Sequence, residues 1–458
     1  MASHDCDAGH KETHGGDSER EFHAAPEDLE ERRVLFAAID SFHQYRATSH
    51  YNVTHRRRQN LYALPSSQWQ ILAAPPFSLL GTLSQVDDAI DQNANLADAI
   101  VSFATTTIGL PASPAKDHPL NWRNTAKPSD HAKAHSTLRQ FYRDWSAEGF
   151  ALEVKPLLDL ILNDLHNHLH LPQSSSPSPP PSLLLPGAGL SRLLLALTLA
   201  GYHCTGNEIS YHALLASNYI LNHTRVAHAH TVFPFCTTFT NLASRSSQLR
   251  SYTVPDVHPA TAFQEAHERG DAVGEMGMAA GDFVTSFGPR DADSAGAYDG
   301  VVSAYFIDTA PNLIRYIETI RHCLRPGGVW VNVGPLLWHF DGRGHQRSGE
   351  DGAEEDGAGA AELEKEMDRK RRKAQHMARE DAGIGEPGSF ELSNEEVLLL
   401  VESYGFEILC HEILPADFVG EGSGGSYIQD RQSMMQSRYQ NAHWVARKRS
   451  ESARKDHQ

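Results

Sequence analysis

The sequence predicts an α/β fold built on a doubly wound, mostly parallel sheet, and three observations point to it. Leu183-Leu184-Leu185 is a short apolar run suited to a strand buried on both faces. It runs into Pro186-Gly187-Ala188-Gly189, a turn whose glycines let the backbone approach a ligand, and then into Ser191–Ala200, apolar with one Arg, which reads as a helix. Gly201–Gly206 reads as the next strand, with Glu208 at its carboxyl end. Strand, glycine turn, helix, strand and acid make half of such a sheet, whose ligands bind outside the carboxyl ends of the strands.

Two cofactor classes use that layout. A dinucleotide fingerprint needs Gly-x-Gly-x-x-Gly, and here Arg192 stands at the third glycine position. A methyltransferase of the Rossmann type usually carries Gly-x-Gly-x-Gly, and here Ser191 stands at the third. Ser is the smaller departure. Glu208 follows Gly187 by about 20 residues, the spacing of an acid that accepts ribose hydroxyls. NAD and S-adenosylmethionine both carry that ribose, so Glu208 alone does not choose between them.

The segments before this unit read as a polar tail and a helical region. Met1–Glu31 is rich in His, Asp, Glu and Gly and nearly free of large apolar residues, a disordered composition. Over Val34–Ala104, apolar residues recur at three- and four-residue steps (Leu35, Phe36, Ile39, Phe42; Leu79, Leu83, Val86, Ile90), which predicts helices. The basic run His55–Arg58 reads as a solvated helix face. Thr137–Gly149 crowds Leu138, Phe141, Tyr142 and Trp145 beside Gln140 and Arg143, which are three apart and share a helix face. That face can present an amide and a guanidinium to a carboxylate, or be an amphipathic helix with an Arg–Asp pair. The residues leave the two readings even.

Leu157–His170 reads as a further helix. Only His166 and His170 of its three histidines share a face, and no third metal ligand is evident nearby. A Pro/Ser linker, residues 173–182, separates the helical region (32–172) from the sheet domain (183–340 and 389–448).

Beyond Asn222, His223–Met278 is too long for a simple connection and is expected to pack over the site or form part of a lid. Gly281-Asp282-Phe283 stands where the third strand would end. Tyr298–Asp308 reads as the fourth strand, an apolar core ending in an acid. Leu313–Leu324 is an amphipathic helix, ended by Arg325-Pro326-Gly327-Gly328 before the strand Val329–Val333. His339 is a lone histidine beyond that strand. Residues 341–388 are acidic, glycine-rich and then charged on all sides, which reads as a solvated, disordered insertion. Leu392–Phe406 opens with a capping box, Ser393 and Glu396, and continues as a helix. Glu407–Leu409 starts a strand, Ser433–Ala446 closes the sheet, and 449–458 is a charged tail.

The whole chain sets outer bounds. Its 458 residues suffice for a sizeable core. A formal net charge of −18 makes nucleic acid a poor default partner. Five scattered cysteines without a Cys-x-x-Cys pair argue against a disulfide framework and a zinc ribbon and for a reducing compartment, cytoplasmic or nuclear. No apolar run reaches membrane-spanning length, and no signal peptide opens the chain.

At this point the sequence resembles the carnosine N-methyltransferases, a branch of the S-adenosylmethionine-dependent enzymes. The resemblance spans about Leu35 to Lys448. It rests on STLRQFYRDWS, LLPGAGLSRL with GNEISY and LLASNYILN, PDVHP, GDF, YFIDTAPN with YIETI, LRPGGVWVNVGPLLWHF, ELSNEE with YGF, and SMM followed by Tyr439. It implies a Rossmann-like class I methyltransferase sheet behind an N-terminal helical region, with S-adenosylmethionine as cofactor and no metal. The family's cofactor-binding positions fall on Gln140, Arg143, Gly187, Glu208, Asp282, Phe283 and Ala304, and its dipeptide-binding positions on Asp308, His339 and Tyr439. Gln140 and Arg143 then become a clamp on the methionine end of the cofactor.

Three departures stand out: Ser191 where the family commonly has Gly, Ser437-Arg438 in a run that is commonly Tyr-rich, and the long insertion beginning beside His339. The implied reaction methylates an imidazole nitrogen of carnosine (β-alanyl-histidine) to give anserine, and Asp308 is read as the catalytic residue that accepts the N–H of the other nitrogen and so fixes the imidazole tautomer. The competing readings are methylation of another histidine-containing peptide or a protein histidine, and a non-catalytic cofactor-binding scaffold. The expected partner is a small dipeptide, with no nucleic acid and no membrane, and a homodimer is left open.

Overall fold

The computed structural model describes residues 26, 28–169, 179–338, 383–385, 388–418, 427–428 and 430–450. His339, most of the Pro/Ser linker and most of the insertion lie outside them. Among the described residues one sheet of seven strands organises the chain. β1 (Ser182–Pro186), β2 (His203–Glu208), β5 (Met276–Ala280), β6 (Tyr298–Ala304) and β7 (Leu324–Gly334) run parallel in the order β5-β2-β1-β6-β7. β9 (Ala442–Lys448) lies antiparallel beside β7, and β8 (Phe406–Ile413) takes the edge. β3 (His230–Val232) and β4 (Tyr252–Val254) form a separate antiparallel pair. The strand order reverses at β1, between β2 and β6, and a crevice opens at the carboxyl ends there. This is a class I methyltransferase sheet.

The longer helices are α1 (Leu29–His43), α2 (Leu79–Ile108), α3 (Pro128–Trp145), α4 (Lys155–His168), α5 (Arg192–Leu199), α6 (Tyr211–Asn222), α7 (Pro259–Arg269), α8 (Leu313–Cys323) and α9 (Asn394–Ser403). Their ends follow local chemistry. The Asp28 carboxylate accepts the backbone N–H groups of Glu30 and Glu31 at 2.8 Å each and starts α1. Ser393 and Glu396 form the reciprocal capping box of α9.

The apolar stripes read from the sequence meet in one core. Leu35, Ile39 and Phe42 of α1, Val86, Ile90 and Ile100 of α2, and Leu138, Phe141 and Trp145 of α3 pack with Leu214 and Ile220 of α6. On one face of the sheet, Leu157, Ile161 and Leu165 of α4 cover Leu183, Leu185, Val331 and Val445. A further core joins α8 and α9 to Trp330 and Trp444, whose rings meet edge to face at 4.5 Å. Such a pair contributes about 0.5–1.5 kcal/mol beyond its burial.

Four expectations need correction. The stretch 223–278 is not a lid. Val232, Cys236 and Val254 are apolar and buried, and they join the core shared by α1, α2, α3 and α6. β6 stops at Ala304, and Tyr305 turns the chain with φ +54°, so Asp308 sits on a single 3-10 turn, Ile307–Thr309, and not on the strand end. The Arg325–Gly328 turn is absorbed into β7, and the pairing with β6 shifts register between Tyr298 and Gly300 to accommodate it. The last strand begins only at Ala442, while Ser433 makes an isolated bridge to Leu242.

Ser191 explains its own oddity. It precedes α5 with φ +64°, fully buried, and its hydroxyl has no hydrogen-bond partner among the described residues. A left-handed conformation costs an L-residue about 1–2 kcal/mol, and glycine escapes that cost. Ser191→Gly is therefore expected to raise stability by about 1 kcal/mol after the entropy of the more flexible unfolded chain is subtracted. The midpoint of urea unfolding should move up with an unchanged slope, and a lower midpoint would show that the serine is stabilising.

Candidate active site

The glycine turn is fixed from both sides. Gly187 has φ +69°, and a Cβ there would come within 2.5 Å of the Phe306 ring, so no larger residue fits. The Ala188 N–H donates to the Asn207 carbonyl at 2.9 Å. The Glu208 carboxylate accepts the Gly189 N–H on Oε2 at 2.8 Å and the Ile209 and Ser210 N–H groups on Oε1 at 2.9 and 2.8 Å. Burial raises the Glu208 pKa, and these three N–H donors oppose that rise. A carboxylate offers about four acceptor sites, so three are spent on the backbone. Glu208 ties the turn to the end of β2 before it meets any ribose.

A second set of contacts fastens α3 to the same turn. The Trp145 indole N–H donates to the Leu190 carbonyl at 3.0 Å, and the Asp256 N–H donates to the Trp145 carbonyl at 2.8 Å. Arg192 gives Asp256 two parallel N–H bonds, at 2.8 and 3.0 Å, and lies over the rings of Trp145 and Phe150. From the sequence, Arg192 is a misfit to a glycine pattern and the one charge in an apolar run, with no partner indicated. A charge inside the apolar run RLLLALTL was the available signal, because a buried guanidinium requires a partner. The partner is the acid of PDVHP, more than 60 residues away.

Docked in this way, α3 meets the carboxyl edge of β1 and β6 around a cavity of about 330 Å³. Gln140, Arg143, Gly187, Ala304, Asp308 and Tyr439 all line it. Tyr305 and Tyr427, which sequence reading did not single out, line it as well. Arg143 is nearly buried and pairs with Asp144 at 2.6 Å, while Glu153 lies 3.7 Å from its Nε. It also lies over the Tyr427 ring, 4.5 Å from the centroid. Burial alone would lower the Arg143 pKa, but Asp144, Tyr427 and Glu153 outweigh it and hold the guanidinium charged. The Arg–Asp pair on an amphipathic helix is present, and the same helix places Gln140 and Arg143 on the cavity wall.

Asp308 is buried, and its Oδ2 accepts the Leu337 N–H at 3.0 Å, which joins the turn after β6 to the segment after β7. The Tyr439 hydroxyl is pushed up by burial first and by Tyr305 second, so it stays protonated as a donor. Glu208, Asp282 and Phe283 do not line the cavity. Asp282 caps the helical turn Phe283–Phe287 by accepting the Thr285 N–H at 2.9 Å. Phe283 is buried edge-on against Phe306 and Tyr316. The short turn Gly383–Gly385 packs on that helical turn beside Asp282, so the end of the insertion reaches this edge of the sheet.

A family model described as carnosine N-methyltransferase matches residues 120–450. The chain belongs to the carnosine N-methyltransferase family. It is therefore one of the S-adenosylmethionine-dependent enzymes. Carnosine N-methyltransferase of Schizosaccharomyces pombe is 29% identical over 92% of this chain and 97% of that protein. The Mus musculus carnosine N-methyltransferase is 32% identical over 71% of this chain and 76% of its own length. A SAM-dependent methyltransferase structure from Methanosarcina mazei, 13% identical, covers 63% of this chain and 97% of its own, with a TM-score of 0.31.

The contacts of Glu208 give a sharp expectation for Glu208→Gln. The substitution turns one oxygen into an NH2 that must face either the Gly189 N–H or the pair from Ile209 and Ser210. Hydrogen bonds to a charged acceptor are worth about 1.5–3 kcal/mol each. Thermal stability without ligand and affinity for S-adenosylhomocysteine should fall together. Weaker binding at an unchanged melting temperature would mean that Glu208 serves the ribose alone.

Proposed function

We propose that this carnosine N-methyltransferase family member transfers a methyl group from S-adenosylmethionine to an imidazole nitrogen of carnosine, giving anserine. The observation that carries the reading is the convergence of Gln140, Arg143, Gly187, Ala304, Asp308 and Tyr439 on one cavity, although they come from four separate parts of the chain. The donor set suits the cofactor. A backbone turn that lacks a Cβ at Gly187 and Gly189 lies beside Glu208 at one end, and an amide and a guanidinium stand at the other.

S-adenosylmethionine supplies the methyl on a sulfonium, a good leaving group, so the residues of the chain mainly position the nucleophile. Gln140 and Arg143 hold the methionine end. A guanidinium has five N–H donors, so Arg143 can keep Asp144 and still grip a carboxylate. Only the imidazole nitrogen without a proton is nucleophilic. Asp308 accepts the N–H of the other nitrogen, which selects the tautomer, and its charge stabilises the cation that develops as the new N–C bond forms. It can then take that proton as the neutral N-methylimidazole leaves. Tyr439 donates to a polar end of the dipeptide. His339, outside the described residues, is assigned the other end from the family resemblance. Alignment of this kind is worth about 7–11 kcal/mol of barrier.

Two measurements test the reading. Asp308→Asn keeps the size and one carbonyl oxygen for the Leu337 N–H but cannot carry charge. Turnover of carnosine should fall by about 10²–10⁴, with cofactor affinity nearly unchanged. Near wild-type turnover would make Asp308 a structural residue of its turn. A panel of carnosine, homocarnosine, histidine and His-containing peptides with labelled S-adenosylmethionine should label carnosine best. Preferred labelling of a longer peptide would move the reading to a protein or peptide histidine, and no labelling with intact cofactor binding would make the chain a scaffold.

A further inference from the structure

A cluster of metal-ligand side chains lies outside the methyl-transfer cavity. Asp164 and His168 lie four residues apart on α4 and therefore share a face at its carboxyl end. Cys410 reaches the same point from β8. One side-chain ligand atom from each lies within 4.8 Å of the others. We propose that Asp164, His168 and Cys410 bind a divalent metal ion of the zinc class that pins the end of α4 to the sheet edge.

Three features support a built site. The pairing of β8 with β9 shifts register between Ile408 and Cys410, and an irregularity of this kind re-aims a side chain that regular pleating would send elsewhere. Asp164 is buried and oriented. Its Oδ2 shares a hydrogen bond of 2.8 Å with His443 Nε2, and His443 Nδ1 is 3.0 Å from Glu412 Oε1. A carboxylate held by a His that is itself held by a second carboxylate is the kind of outer support that fixes metal ligands. The last turn of α4 is also held in place, because the Arg447 Nη2 donates to the His168 carbonyl at 3.1 Å.

The ligand types narrow the ion. One sulfur, one imidazole nitrogen and one carboxylate oxygen suit a borderline-soft cation and not magnesium or calcium, which take oxygen. Tetrahedral zinc bonds of about 2.0–2.3 Å would draw the ligand atoms about 1 Å closer together. The fourth position would take water. The three ligands line no part of the methyl-transfer cavity. At the opposite end of α4, however, Leu157 does. Occupancy of the cluster would therefore stabilise the scaffold and take no part in chemistry.

The histidine-rich stretch 166–170 invites zinc by composition, and of its described histidines the helix brings His168, not His166, to the acid and the thiol. Cys6, His4, His10 and His14 near the amino terminus offer competing ligands, so the test must separate them.

Full-length protein stripped with chelator is titrated with Co²⁺ and, separately, with Zn²⁺. One equivalent of Co²⁺ should give an intense tetrahedral spectrum with a thiolate charge-transfer band. The band should vanish in Cys410→Ser, persist in Cys6→Ser, and weaken strongly in His168→Ala. Zn²⁺ should raise the melting temperature of the wild type and not of Cys410→Ser, with affinity lowered at least about 100-fold in that variant. Carnosine methylation by metal-free Cys410→Ser should match the metal-free wild type. A thiolate band that survives Cys410→Ser, or no stoichiometric band in the wild type, would overturn the assignment without touching the methyl-transfer reading.

Discussion

The buried pair of Arg192 and Asp256 decides how this molecule is assembled. Arg192 leaves α5 into a space walled by Trp145 and Phe150, where a lone guanidinium would be costly, and Asp256 answers it with two hydrogen bonds. Removing one partner of such a pair typically costs about 3–5 kcal/mol, because the other is left buried and uncompensated. The same Asp256 takes hold of the Trp145 backbone, and the Trp145 indole takes hold of Leu190. Three pieces of chain far apart in sequence therefore share one contact: the end of α3, the start of α5 and the loop after β4. The helical region brings Gln140 and Arg143 to the cavity because this contact sets where α3 ends.

Charge is arranged differently at each point around the cavity. Arg192 is spent entirely on assembly. Arg143 is half spent, neutralised by Asp144 but facing the cavity with donors to spare. Glu208 gives most of its acceptor capacity to the glycine turn. Asp308 gives one oxygen to the Leu337 N–H and so links the turns after β6 and β7, the two edges between which a substrate would sit. Arg143 and Asp308, the charged groups on the cavity wall, are thus each positioned by an ion-pair or backbone contact of its own, which limits the reorganisation that binding would require.

Much of the sheet was legible in the sequence, for physical reasons. Leu183–Leu185 is apolar on both faces because both faces are covered, and the stripes of α1 and α2 are regular because one side of each is buried. The capping box of α9 involves neighbours four residues apart or fewer and needs no tertiary knowledge. What was not legible depended on distant partners. Nothing local says that Asp256 answers Arg192, that Val232 and Val254 belong under the helical region, or that Tyr305 turns the chain so that Asp308 falls on a 3-10 turn. Tyr427 escaped notice because a single tyrosine in a polar, glycine-rich stretch has no periodicity to mark it. Glu208 was legible as a residue but not as a contact: its position was plain, while its three backbone donors appear only once the turn is folded.

The central claim is that the cofactor site has two halves, the glycine turn of the sheet and the end of α3, held together by the Arg192–Asp256–Trp145 contact. Hydrogen exchange of the wild-type protein with and without S-adenosylhomocysteine tests it directly, since ligand that bridges both halves must stabilise both. Exchange is expected to slow together in peptides covering Pro128–Trp145 and Ser182–Glu208. Slowing confined to the sheet peptides, with α3 unchanged at saturating ligand, would contradict it.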